Sequence, residues 1–307
     1  MGSIEQITAT TEEHGKIVFV AKVIKLPKGR LSVGDQRKAD SYDVEAAFYG
    51  NHATKLIAAG CTVPRSIAVD RGPPLVICMS LLEGHDNFRM DRKMTAAALS
   101  WLARLHALYW GAKADAAVSS GLQKQGCYWY LDTRFEEHDR MPNKGWEGRL
   151  RLAARALDAR LKADPLQSIV HGDAKEANMI ITKDGSIGFV DFQYCGKACV
   201  AKDLAYCLCC ASDTPEEEAS LLKGYHQDLS QLLIAQGDTP PEMNKLEDAL
   251  ELAYADLGRW MSGWGWWGHA GMLRERIIKL LDKLDGGSAL KGGEAEYKEA
   301  VMRVFPL

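Results

Sequence analysis

The chain has 307 residues, 47% of them hydrophobic and 26% charged, with a formal charge of −3, the balance of a globular protein rather than a disordered one. Both charge signs are interspersed, which argues against a nucleic-acid binder, and no run of about 18 apolar residues is present to predict a transmembrane helix. The start, Met1-Gly2-Ser3-Ile4-Glu5, lacks the basic and apolar stretches of a signal peptide, so a cytoplasmic location is expected.

In chain order, the segment from about Ile4 to Ile24 reads as strands, with the β-rich run Ile17–Ile24 preceded by a turn at Glu13-His14-Gly15. A polar loop follows from Pro27 to Asp40. Tyr42, Val44, Ala47, Phe48, Leu56 and Ile57 then recur at helical spacing, which predicts a helix from about Ala39 to Ala59. Two short apolar runs come next, Ser66–Val69 and Leu75–Met79. Beyond them the chain is mainly helical: Met94–Trp110, Leu150–Leu161 and Glu217–Leu233 are amphipathic. A short β insertion interrupts the helices at Ile169-Val170, Met179–Ile181 and Ile187–Val190, with a hairpin turn at Lys183-Asp184-Gly185. The pattern predicts an α+β protein with a small β-rich N-lobe, residues 1–81, and a larger, mainly helical C-lobe, residues 82–307. The eight cysteines sit mostly in apolar surroundings without a pair of C-x-x-C knuckles, so they read as reduced, buried thiols rather than as a zinc site.

The chemistry concentrates in His171-Gly172-Asp173-Ala174-Lys175-Glu176-Ala177-Asn178 and Phe189-Val190-Asp191-Phe192-Gln193. This ordered set resembles the catalytic loop and metal-binding strand of kinases. It takes the HGD form of aminoglycoside phosphotransferases and of choline or ecdysteroid kinase-like small-molecule kinases. Phosphoryl transfer needs a carboxylate to orient the attacking hydroxyl and accept its proton, and a magnesium ion to neutralise the transferred group. Asp173 is the expected carboxylate. Asn178 and Asp191 offer the oxygen donors that magnesium prefers, brought to one end of the hairpin by its tight turn. Asp203 and His171 read as structural.

The resemblance carries further expectations. It implies a two-lobed protein-kinase-like fold that uses ATP and Mg²⁺, with Lys175 meeting the γ-phosphate. Lys22 would hold the α- and β-phosphates with Glu45 as its helical partner, Lys25 being the competitor on the same strand. The backbone of Met79, Ser80 and Leu81 would read the adenine. A glycine-rich loop between the first strands is missing, which leaves two options: Glu12-Glu13-His14-Gly15 covers the phosphates, or the first strand is shortened. For the acceptor, the late aromatic segment supplies Trp264 and Trp267 as a candidate lining, with Asp256 and Arg259 as polar contacts, simple packing of the large lobe by these tryptophans being the equal alternative. The expected activity is transfer of the γ-phosphate to a hydroxyl of a small molecule, with no nucleic-acid or membrane partner. A pseudokinase scaffold is the alternative. A protein kinase is disfavoured, because no Ala-Pro-Glu follows Asp191 and Phe192–Lys202 leaves little room for a peptide-docking loop.

Overall fold

The protein is described from a computed structural model, in which residues 2–12, 15–26, 29, 31–86, 89–211 and 214–307 are described. It opens with a long hairpin of β1 (Gly2–Thr11) and β2 (Gly15–Ile24), in register from Gly2 opposite Ile24 to Thr11 opposite Gly15. The first strand is therefore not shortened. β2 starts two residues before the expected run, because its first residues pair with β1 although they bury little.

α1 (Val33–Asn51) begins six residues before the expected helix. Ser32 caps it, its hydroxyl accepting the Asp35 N–H at 3.1 Å, the usual way of satisfying an orphan amide in the first turn. The long apolar repeat does not make one helix. It breaks at His52, and α2 (Ala53–Ala58) follows.

β3 (Ser66–Asp70) and β4 (Leu75–Ser80) complete the sheet. Among the described residues its order is β1-β2-β4-β3, antiparallel throughout, with β1 at an edge. The chain then passes through β5 (Gly84–His85) into α3 (Arg92–Leu108), which Asp91 caps by accepting the Met94 N–H at 2.8 Å.

α4 (Lys113–Ser119), α5 (Phe135–Arg140) and α6 (Gly145–Ala163) precede the β insertion. β6 (Gln167–Val170) leads to the hairpin of β7 (Met179–Thr182) and β8 (Ile187–Phe189), to which β5 adds a third strand. β9 (Gly196–Cys199) pairs with β6. It is too short and too rich in small residues to carry an apolar alternation, and the sequence reading missed it. α7 (Ala201–Ala211), α8 (Pro215–Ala235), α9 (Met243–Trp264), α10 (Ala270–Asp285) and α11 (Glu294–Val304) complete the helical lobe. None of the described helices is long and apolar enough to cross a membrane. The expected α+β, two-lobed arrangement is the observed one.

The break at His52 has a use. Its ring is buried, with Nδ1 2.9 Å from the Tyr109 hydroxyl and Nε2 3.0 Å from the Ser120 hydroxyl, so it joins α1 to the ends of α3 and α4. Burial pushes its pKa down to about 4 from 6.5. Between those values the unfolded chain binds more protons than the folded one, so stability rises with pH across that window. The contribution is fully present above about pH 6.5 and is lost as pH falls towards 4, amounting to roughly 3 kcal/mol. Urea unfolding followed from pH 7 to pH 4 should show this slope, and His52→Gln should flatten it. An unchanged slope in the variant would assign the acid sensitivity elsewhere.

Candidate active site

The loop after β6 is shaped by hydrogen bonds that exclude most alternatives. Asp203, in the first turn of α7 and 1% exposed, turns away from its own helix. Its carboxylate accepts the His171 N–H at 2.7 Å and the Gly172 N–H at 2.9 Å, and lies 3.2 Å from His106 Nε2. Gly172 has φ of +82°, and a Cβ there would stand 2.3 Å from the Tyr194 carbonyl oxygen. Only glycine fits both restrictions. His171 Nδ1 accepts the Asp173 N–H at 3.3 Å, so its Nε2 carries the proton and donates to the Val190 carbonyl at 3.1 Å. His171 thereby ties the loop to the strand that delivers Asp191, which is the structural part expected of it.

Asp173 is 4% exposed. Its Oδ2 accepts from Asn178 Nδ2 at 2.9 Å and lies 3.0 Å from Lys175 Nζ, while Oδ1 is buried without a partner among the described residues. Burial, followed by the charge of nearby Asp173, raises the pKa of the Tyr206 hydroxyl far above its ordinary value. Tyr206 therefore keeps its proton.

Asp191 follows β8 with φ of +64°, a conformation that costs a non-glycine residue on the order of 1–3 kcal/mol. Its neighbour Phe192 is fully buried and stacks on Phe48 of α1, ring centroids 3.6 Å apart. That anchor holds the strained turn in place. Lys22 Nζ is 2.5 Å from Glu45 Oε2 and 3.6 Å from Asp191 Oδ1. Burial opposes the Lys22 charge, but Glu45 and then Asp191 outweigh it and raise its pKa. Lys25 lies past the end of β2 and is exposed. The structure thus brings together Lys22, Glu45, Asp173, Lys175, Asn178 and Asp191. Met79, Ser80 and Leu81 lie at the end of β4 and just beyond it, where the chain crosses between the lobes, with Met79 and Ser80 opposite Val20 and Phe19 of β2.

Two expectations change. Glu13 and His14 lie outside the described residues, but Gly15 is seven strand residues from Lys22, about 23 Å along β2. The turn between β1 and β2 therefore cannot cover phosphates held at Lys22. Asp256 and Arg259 are both 0% exposed and do not face a pocket. Asp256 takes the Lys202 ammonium at 2.8 Å and Arg259 Nε at 2.9 Å, and Arg259 Nη2 donates to the Trp129 carbonyl at 2.6 Å. Buried charges need this pairing, and spacing on a helix could not reveal which face carried it.

Trp264 is 55% exposed and Trp267 half-buried. Trp267 lies against Tyr206, ring centroids 5.3 Å apart, and Trp260 joins Trp264, Trp267 and Tyr128. Tyr128 in turn packs on Tyr194. An aromatic wall therefore runs up to Asp173 through Tyr206. The sequence reading missed Tyr206, three residues beyond Asp203 on α7. It also missed Lys38 and Gln193, hydrogen-bonded at 2.8 Å across the cleft. Lys38, Tyr42 and Glu45 stand at i, i+4 and i+7, one helical face, and that spacing was available as a signal.

A lysine–glutamate pair, a loop carboxylate with a buried free oxygen and a second carboxylate on a hairpin, set between a sheet lobe and a helical lobe, define a kinase-like phosphotransferase. Residues 21–242 match the phosphotransferase enzyme family, and the chain belongs to that family. The small-molecule kinase class read from the sequence is the class this membership implies.

Several solved structures are similar to this chain. A choline kinase from Cryptosporidium parvum Iowa II is similar at 12% identity, covering 99% of this chain and 91% of its own, with a TM-score of 0.54. A choline kinase from Streptococcus pneumoniae is similar at 16% identity, covering 91% and 92%, with a TM-score of 0.49. A type VIII aminoglycoside-3'-phosphotransferase is similar at 18% identity, covering 84% and 93%, with a TM-score of 0.48. For the first of these the likeness is one of fold. No curated protein sequence matches.

Proposed function

We propose that this protein is an ATP-dependent kinase that moves the γ-phosphoryl group to a hydroxyl of a small molecule. The observation that carries the reading is the state of Asp173. One of its oxygens is held by Asn178 and Lys175, and the other is buried with no hydrogen-bond partner among the described residues. A carboxylate so held can receive an acceptor hydroxyl at its free oxygen and take its proton.

Asn178 and Asp191 are the residues that would hold magnesium. Among the described residues no three His, Cys, Asp or Glu side chains converge as a self-contained metal centre. One carboxylate and one amide suit magnesium, which commonly completes its shell with phosphate and water. Asp191 Oδ1 accepts no hydrogen bond among the described residues and has only the Lys22 ammonium, 3.6 Å away, for a counter-charge, which leaves it able to take a bound cation. When bound, magnesium would neutralise charge on the transferred group. Lys22, steadied by Glu45, is assigned the inner phosphates, and Lys175 the γ-phosphate. Met79, Ser80 and Leu81 are assigned the adenine, on a nucleotide lobe spanning residues 1–81.

For the acceptor side, Trp264 and Trp267 with Tyr206 are assigned the lining. Aromatic faces suit a quaternary ammonium, through contacts worth about 0.5–2 kcal/mol, or a flat apolar skeleton. Asp256 and Arg259 support that wall from beneath. A pseudokinase is the second reading, favoured by the distance of the β1–β2 turn from Lys22.

The test is magnesium-dependent ATP consumption against a panel of hydroxylated metabolites, amino alcohols and aminoglycosides included, with Asp173→Asn alongside. Turnover in the wild type alone supports the kinase. ATP binding without turnover across the panel supports the pseudokinase.

A further inference from the structure

Lys38 reaches into the cleft from α1 and differs from the other lysines there. Lys22 has Glu45 at 2.5 Å and Lys175 has Asp173 at 3.0 Å. Among the described residues no carboxylate lies at ion-pair distance from Lys38; its ammonium donates to a neutral acceptor, Gln193 Oε1, at 2.8 Å. It is half-buried, so the missing counter-charge matters, and burial lowers its pKa. The charges it senses are those of the site itself: Asp191, Lys22, Glu45 and Asp173.

Its position is fixed from two sides. Gln193 follows Asp191 by two residues and also accepts from the Ser41 hydroxyl at 3.0 Å, so the Lys38 ammonium is tethered next to the proposed metal-binding strand. On the other side lies Tyr42. The Lys38 Nζ is 5.0 Å from the centre of that ring and Lys22 Nζ is 5.4 Å from the same centre. One tyrosine therefore flanks two cations, Lys22 at 3.6 Å from Asp191 and Lys38, which feels the charge of the same carboxylate. The β1–β2 turn, about 23 Å from Lys22, cannot supply phosphate-binding groups there.

We infer that Lys38 is a phosphate-contacting residue of the nucleotide site, which supplies from α1 a cation for the outer phosphates that the β1–β2 turn cannot reach. This rests on the kinase reading above. A triphosphate entering over Asp191 would give Lys38 the anionic partner it lacks in the protein. The Gln193 bond holds the ammonium in place beforehand, which reduces the ordering cost of the contact.

The experiment measures binding of ATP, ADP and AMP, each with magnesium, to the wild type, Lys38→Met and Lys38→Arg. A charge-assisted contact of this kind is expected to be worth about ten- to a hundredfold in Kd. Lys38→Met should lose that much for ATP, less for ADP and little for AMP, and Lys38→Arg should recover most of it. A methionine variant that binds ATP like the wild type overturns the assignment and leaves the kinase reading intact. Equal loss for all three nucleotides, with a lowered thermal midpoint, also overturns it, because Lys38 would then act only in holding α1. A wild type that binds none of the three nucleotides brings down the kinase reading and this inference together.

Discussion

Asp173→Asn should lower kcat by about 10²- to 10⁴-fold while nucleotide affinity stays near the wild-type value. Asparagine keeps the size of the side chain and an oxygen for the Asn178 amide to donate to. What it removes is the negative charge on the oxygen that would take the acceptor's proton. The loop should also survive, because its shape depends on Asp203 and Gly172 rather than on Asp173. Initial rates at saturating acceptor, with ATP binding measured in parallel, separate the two effects. A variant that turns over within threefold of the wild type removes Asp173 from the role of base. A variant that loses ATP binding as well assigns it to holding the nucleotide.

The second large effect is expected at Asp203, which is assigned no contact with substrate or nucleotide. Asp203→Ala strands the backbone N–H groups of His171 and Gly172, and takes away the partner of His106 Nε2. All lie in the interior, and each orphaned donor costs on the order of 1–3 kcal/mol, partly recovered if water enters. The net loss should be about 3–5 kcal/mol, which lowers the thermal midpoint by about 5–8 °C. Activity should fall in addition, because the Gly172 turn that presents Asp173 is no longer tied down. Asp203→Asn keeps an acceptor in place and should lose less of both. Thermal unfolding and kcat measured on the same preparations test this. An alanine variant as stable as the wild type would show that the loop is held by its packing against Tyr194 and Cys127 instead.

The site was legible where its members are close in the chain. Asp173, Lys175, Asn178 and Asp191 span 19 residues around one hairpin, and local geometry nearly determines where they meet. Lys22 and Glu45 were legible for another reason. A lysine in a strand that is otherwise apolar must find a counter-charge if it is buried, and the structure gives it Glu45 at 2.5 Å. Lys25, three residues on, is exposed beyond the strand end.

The errors have equally physical causes. The helix start was placed late because hydrophobic periodicity begins after the cap, and Ser32 carries no periodic signal. Asp256 and Arg259 were assigned to the pocket because they lie one turn apart on a helix with aromatic neighbours. That spacing is the same whether the face points to solvent or to Lys202 and Trp129.

Local chemistry was therefore enough for the class of reaction, the hairpin that carries the candidate site and the β-rich then helical order of the chain. Those features depend on residue types at short separations, where turn preference, strand alternation and helical period act directly. Only the tertiary structure decided which charges are spent on holding the fold and which remain free. Lys202 and Asp256 stand 54 residues apart and neutralise each other at 2.8 Å, whereas Lys38, 155 residues from Gln193, meets only a neutral acceptor there. Partners so distant are chosen by the packing of whole helices. That packing is a sum of many weak contacts, and no short stretch of the chain contains it.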